Sequence, residues 1–189
     1  MPPVTRNLVI ANGVMFLLTL AIGNALAVPL ALWPLGGGFM PWQLVTYAFL
    51  HGGVTHILFN MIGVYTFGAD LERVWGPRRF LTYYLVCAVT AGLTQLVFAA
   101  VTGSPYPTVG ASGAVFGLLL AYAMMFPQRT VMLLFPPIPM KAPVFAVVFG
   151  ALELFLGVTG TQQGVAHFAH LGGMLGGFLM LTWRPRRPS

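Results

Sequence analysis

Six apolar runs divide the chain, at roughly 8–32, 52–69, 80–101, 110–126, 143–158 and 165–183, and none contains a lysine or arginine. The nine basic residues fall only at the two ends and in alternate connections. Arg6 precedes the first run, Arg73, Arg78 and Arg79 follow the second, Arg129 and Lys141 follow the fourth, and Arg184, Arg186 and Arg187 follow the sixth. A helix needs about 20 apolar residues to cross a bilayer, and cytoplasmic loops collect Lys and Arg. The pattern therefore predicts an all-α, six-span membrane bundle with both termini cytoplasmic. Five or seven spans would scramble the alternation. The fourth and fifth runs are short, so their helices are expected to stop below the membrane surface or to be lined by protein.

Composition narrows the reading further. With 58% hydrophobic and 6% charged residues, against about a quarter charged in soluble domains, the 189 residues are expected to form a single six-span domain, 1–189. The net charge of +6 reads as topology, and no nucleic-acid partner is expected. One cysteine, Cys87, excludes an intrachain disulfide or a cysteine-based metal cluster and reads as a small core residue. The first run resembles a signal peptide, with Arg6 before it and Ala25-Leu26-Ala27 near its end, but it is longer than a signal core. It is read as a span. The uncharged stretch from Trp33 to Leu50 carries Trp33, Phe39, Trp42, Tyr47 and Phe49, which suits the outer headgroup region. Gly36-Gly37-Gly38 keeps a solvated loop as the alternative. Pro136, Pro137 and Pro139 predict a stiff non-helical turn.

Four polar side chains then fall at one depth. Ser112 sits within Gly110-Ala111-Ser112-Gly113 and His170 within Ala169-His170-Leu171-Gly172-Gly173, each near the outer end of its run. His56 lies early in the second run, with Asn60 one turn deeper on the same face. At 1.5 Å per residue, all four occupy a layer roughly 3–12 Å below the outer surface. Polar groups in lipid normally face the bundle interior and mark a site. The pairs Gly113/Gly117, Gly172/Gly176 and Gly173/Gly177 have the spacing that lets membrane helices approach closely, as a short serine side chain requires.

A buried serine becomes a nucleophile when a neutral histidine takes its proton. Asp70 and Glu72 lie on the expected cytoplasmic side and Glu153 lies in span five at an unassigned depth. A Ser112–His170 dyad without an acid is therefore the economical reading. The Ser112 amide, the His56 ring and the Asn60 amide are candidate oxyanion donors. The plainer readings are a serine bonded to its own helix, a structural histidine, and an asparagine acting as interhelical glue. His167 is expected to support or face the interface, and His51 to hydrogen-bond the outer loop to span two. Phe116, one turn after Ser112, is placed either to stack on His170 or simply to fill the core.

The set His51-(x4)-His56-Ile57-Leu58-Phe59-Asn60, Gly110-Ala111-Ser112-Gly113 and Ala169-His170-Leu171-Gly172-Gly173 resembles the rhomboid intramembrane serine proteases over about residues 8–183. The resemblance implies a rhomboid-like bundle and a Ser112–His170 dyad, with the oxyanion held by His56, Asn60 and the Ser112 amide. It also implies Gly110, Gly113, Phe116, Gly173 and His51 in support, and no cofactor or metal. Cleavage of single-span membrane proteins near the outer face of a bilayer is the activity implied, with span five and the loop above it as the gate. The short basic tail favours a prokaryotic plasma membrane. Two positions depart from the family pattern: Gln43 follows Trp42 where the family has arginine, and Val74 follows Glu72-Arg73 where the family's arginine stands two after the glutamate. A non-proteolytic binder or chaperone of transmembrane segments is the second reading. A transporter or channel is the third, disfavoured because the polar layer stops near one face. The absence of His-Glu-x-x-His and of a second aspartate excludes zinc and aspartyl intramembrane proteases.

Overall fold

A computed structural model describes residues 1–133, 136–160 and 166–182. The first rod is α1 (Pro3–Ile22), broken at Gly23 and continued by α2 (Asn24–Leu30). A loop with two short turns follows, α3 (Gln43–Thr46) and a 3-10 turn at Tyr47–Phe49. The second rod is continuous through α4 (Val54–Gly63), a π-helical turn at Val64–Gly68 and α5 (Ala69–Trp75). The remaining rods are α6 (Pro77–Thr102), α7 (Ser112–Met125), α8 (Ala142–Thr159) and α9 (His167–Thr182). These six rods fall on the six apolar runs. Among the described residues, α1, α6 and α8 are each long and apolar enough to cross a membrane by themselves.

The short rods sit at the centre. α9 has 16 residues and packs between α6 and α7, and α7 has 14 residues. Glycine makes this possible. A methyl at Gly172 or Gly176 would strike Thr94 or Thr90 of α6, and one at Gly117 would strike Cys87. Tyr83 donates its hydroxyl to the Gly117 carbonyl at 2.8 Å and so ties α6 to α7. Helices buried by protein on most sides need not match the lipid thickness, which accounts for the short fourth run.

Charges collect at one end. Glu72 accepts from the Val4 and Thr5 amides at 2.8 and 2.7 Å and from the Thr5 hydroxyl at 2.7 Å. A carboxylate on the free amides of a helix N-terminus satisfies donors that the helix cannot, so Glu72 has a structural use. Asp70 pairs with Arg73 and with Arg129. The two basic connections therefore meet in space, together with the chain's start. Arg184, Arg186 and Arg187 lie outside the described residues. So does 161–165, the loop to which the resemblance assigns part of a gate, along with the first and last residues of the sixth run.

The proline-rich link contains more order than the expected turn. Thr130–Met132 (β1) pairs antiparallel with Pro139–Lys141 (β2), so the fold is a helical bundle with one small ribbon. His51 is buried and packs edge-on against His56 at 5.0 Å, at the start of the second rod.

Gln43 replaces the missing arginine by a neutral device. Its side-chain oxygen accepts from the Trp33 and Met40 amides at 3.2 and 3.1 Å, and its nitrogen donates to the Pro29 and Gly38 carbonyls at 3.3 and 3.4 Å. A buried residue bonded on both sides holds a loop better than an exposed ion pair, which contributes about 0–1 kcal/mol. Val74 needs no substitute, because Arg73 finds Asp70 at 2.6 Å one turn earlier.

Candidate active site

The site forms at the end of the bundle away from the charges, where α4, α7 and α9 begin. Ser112 is the first residue of α7, two residues nearer the helix end than the run boundaries predict. The segment before it is clamped twice. Thr108 and Leu32 exchange backbone hydrogen bonds at 2.9 and 3.0 Å, and the Gly110 amide donates to the Tyr47 carbonyl at 2.9 Å. Gly110 has φ +126°, a conformation suited to glycine. A Cβ there would lie 2.7 Å from the His56 ring and 3.7 Å from Ser112 Oγ. The His56 ring thus packs directly against Gly110, beside the serine.

His170 enters from α9. Its Nε2 lies 2.7 Å from Ser112 Oγ. Phe116 stacks on the ring at 4.5 Å with the planes 8° apart. Ser112 therefore meets a base in place of bonding its own helix. The close approach rests on Gly173, where a methyl would collide with the Gly113 carbonyl, and on Gly113, where one would collide with Ala91.

Two of the candidate oxyanion donors come from α4 and one from the start of α7. The Gly52 amide donates a long 3.4 Å hydrogen bond to His56 Nδ1. A neutral ring accepting at Nδ1 carries its proton on Nε2, on the side facing Gly110. Asn60 is buried and spends one side-chain N–H on the His56 carbonyl at 2.9 Å, leaving the other. The Ser112 amide lies in the first turn of α7, where helices leave donors unpaired.

A family model described as the rhomboid domain matches residues 38–187. The chain belongs to the rhomboid family. It is 32% identical over 137 residues to a protein named rhomboid protease GluP from Bacillus subtilis strain 168, covering 72% of this chain and 25% of that one. It is 27% identical over 192 residues to one named rhomboid protease GlpG from Yersinia pestis strain Pestoides F, covering 99% of this chain and 64% of the relative. This rhomboid thus spans about a quarter and under two-thirds of those relatives' lengths. Family and apolar helices together make it an integral membrane protein.

Sequence reasoning missed where Glu153 points. Glu153 of α8, set aside above, is 8% exposed, and its Oε2 lies 2.6 Å from His167 Nδ1 and 2.8 Å from His170 Nδ1. One signal was available: a lone glutamate in a span of apolar residues demands a partner, and two histidines lie on the next span. What could not be read was which turn of α8 faces α9. His167, expected in a supporting role, contacts the carboxylate and not the serine.

Proposed function

We propose that this rhomboid is an intramembrane serine endopeptidase in which Ser112 is the nucleophile and His170 the general base. The observation that carries the reading is the 2.7 Å approach of His170 Nε2 to Ser112 Oγ, with the His56 ring packed against Gly110 beside the serine. In the forward step Ser112 Oγ bonds to the scissile carbonyl carbon while its proton passes to His170 Nε2. The carbonyl oxygen becomes an oxyanion beside Ser112, received by the Ser112 amide, His56 Nε2–H and the second Asn60 N–H. His170 then gives its proton to the leaving amine, and a water molecule cleaves the acyl-enzyme by the same route. His51 holds the His56 ring edge-on.

The substrate class is membrane proteins with a single span, cut near the outer face of a bilayer. Access between helices is supported by α8, which buries only Ala142, Phe145, Ala146 and Glu153. Glu153 is its anchor near the site, and the exposed faces around that contact leave room for a substrate to enter alongside it. The charge clustering favours cytoplasmic termini and a site towards the outer leaflet of a prokaryotic plasma membrane. Reporter fusions at both ends that read as external would contradict this orientation.

The deciding experiment incubates the purified protein in lipid with a single-span substrate. Cleavage is expected in wild type and lost by at least about 1,000-fold in Ser112→Ala and in His170→Ala. Cleavage that survives both substitutions would refute the reading. Capture of substrate without any cleavage would make this rhomboid a binder of transmembrane segments instead.

A further inference from the structure

The geometry points to Glu153 as a positioning residue for His170, completing a Ser112–His170–Glu153 arrangement in which the carboxylate fixes the working tautomer of the base. This inference rests on the peptidase reading above and adds an acid to it. The sequence-level reading of a dyad without an acid is thereby revised.

Three observations carry it. His170 Nδ1 is buried and completes no hydrogen bond among the described residues, yet Glu153 Oε2 lies 2.8 Å from it. The direction of that contact is imperfect, whereas the 2.6 Å contact of His167 Nδ1 to the same oxygen is well formed. A buried imidazole nitrogen left without a partner is unfavourable, so a small ring rotation that completes the bond is favoured, and such bonds commonly tighten when substrate binds. Second, the opposite ring nitrogen faces Ser112 Oγ at 2.7 Å. A neutral imidazole carries one N–H. An acceptor at Nδ1 keeps the proton there and leaves Nε2 bare to take the serine's. Third, Glu153 is nearly buried, with one oxygen serving both imidazoles. When Ser112 attacks and Nε2 gains its proton, the positive charge that forms faces a carboxylate, while the carboxylate itself gains no proton.

The same three residues have the composition of a metal site, with donor atoms within 4.8 Å of one another. Their spacing argues against that use. Ligands held about 2.0–2.2 Å from a tetrahedral ion stand more than about 3 Å apart, whereas Glu153 Oε2 lies 2.6 and 2.8 Å from the two nitrogens. Those are distances for sharing protons.

The test compares Glu153→Gln, Glu153→Asp and wild type over pH in reconstituted, Ser112-dependent cleavage. The titratable groups facing His170 are Glu153 from α8, His167 from its own helix and His56 from α4. Removing the negative charge disfavours imidazolium, so Glu153→Gln should move the acid limb of kcat/KM to lower pH. It should also lower kcat about 10- to 100-fold with KM changed less than about threefold. Glu153→Asp should recover part of both effects. Wild-type kcat in Glu153→Gln, or a lower kcat with an unmoved acid limb, would overturn the role. A second measurement needs neither turnover nor a folded variant. In histidine-labelled wild type, the His170 ring proton should reside on Nδ1, and finding it on Nε2 would overturn the inference. Cleavage that ignores Ser112 refutes the peptidase reading instead, and the tautomer measurement still decides the pairing.

Discussion

The carbonyl oxygen of Gly113 occupies the place where a methyl group on Gly173 would have to go. α7 and α9 touch backbone to backbone at this point, and the contact sets the distance between Ser112 and His170. A substitution at Gly173 therefore acts on chemistry through helix spacing.

For Gly173→Ala the expected outcome is a stability loss of about 1–3 kcal/mol, the usual cost of forcing atoms into a packed core. Displacement of a reacting group by about 1 Å costs roughly 100-fold in rate, so cleavage per folded molecule should fall by about that factor. Thermal unfolding in detergent, paired with kcat on the folded fraction, checks both. Unchanged kcat would mean that the glycine contact does not set the dyad distance.

Phe116 covers one face of the His170 ring at 4.5 Å. Aromatic pairs contribute about 0.5–1.5 kcal/mol beyond burial, so Phe116→Leu should lower kcat about two- to tenfold, and Phe116→Tyr should stay near wild type. Steady-state kinetics of the two variants decide whether the ring orients the imidazole or only fills space.

Gln43→Ala would leave the Trp33 and Met40 amides and the Pro29 and Gly38 carbonyls without their side-chain partner. Because Gln43 is buried but its partners are mostly exposed and water can replace it there, a total loss of about 1–2 kcal/mol is expected, the usual net worth of one or two hydrogen bonds. It should appear as a lower unfolding temperature. Asp70→Asn, which weakens exposed ion pairs, should cost less than about 1 kcal/mol.

His51 lies before α4, and its imidazole is pushed down to about 4 from 6.5, chiefly by burial and then by the neighbouring His56, with the Phe49 backbone opposing. The unfolded ring thus binds a proton at higher pH than the folded one. Its contribution to stability is complete above about 6.5 and declines as pH falls towards 4. Unfolding temperatures across that window should fall more steeply for wild type than for His51→Phe, and parallel curves would contradict this.

Much of the fold is legible because lipid permits few choices. A stretch without charges, bounded by Arg73 on one side or Arg129 on the other, has to cross, and glycines four apart have to pack. The polar layer is legible for the same reason, since Ser112 and His170 have no other sensible place to point. The Glu153 contact is not, because it depends on the rotation of α8 about its own axis, and an apolar helix exposed to lipid on most sides carries no strong face. The Gln43 cradle escapes notice because it is made almost wholly with backbone groups, whose positions the residue types do not reveal. Likewise the β1–β2 ribbon is built from three-residue strands too short to show an alternation.

The most direct test of the account is covalent labelling of the detergent-solubilised protein by a fluorophosphonate, which reacts with a serine oxygen only when a base activates it. Wild type should be labelled at Ser112, His170→Ala should be labelled at least about 100-fold more slowly, and Ser112→Ala not at all. Labelling of Ser112 at equal rates with and without His170, or none in the wild type, would contradict the pairing of these two residues as nucleophile and base.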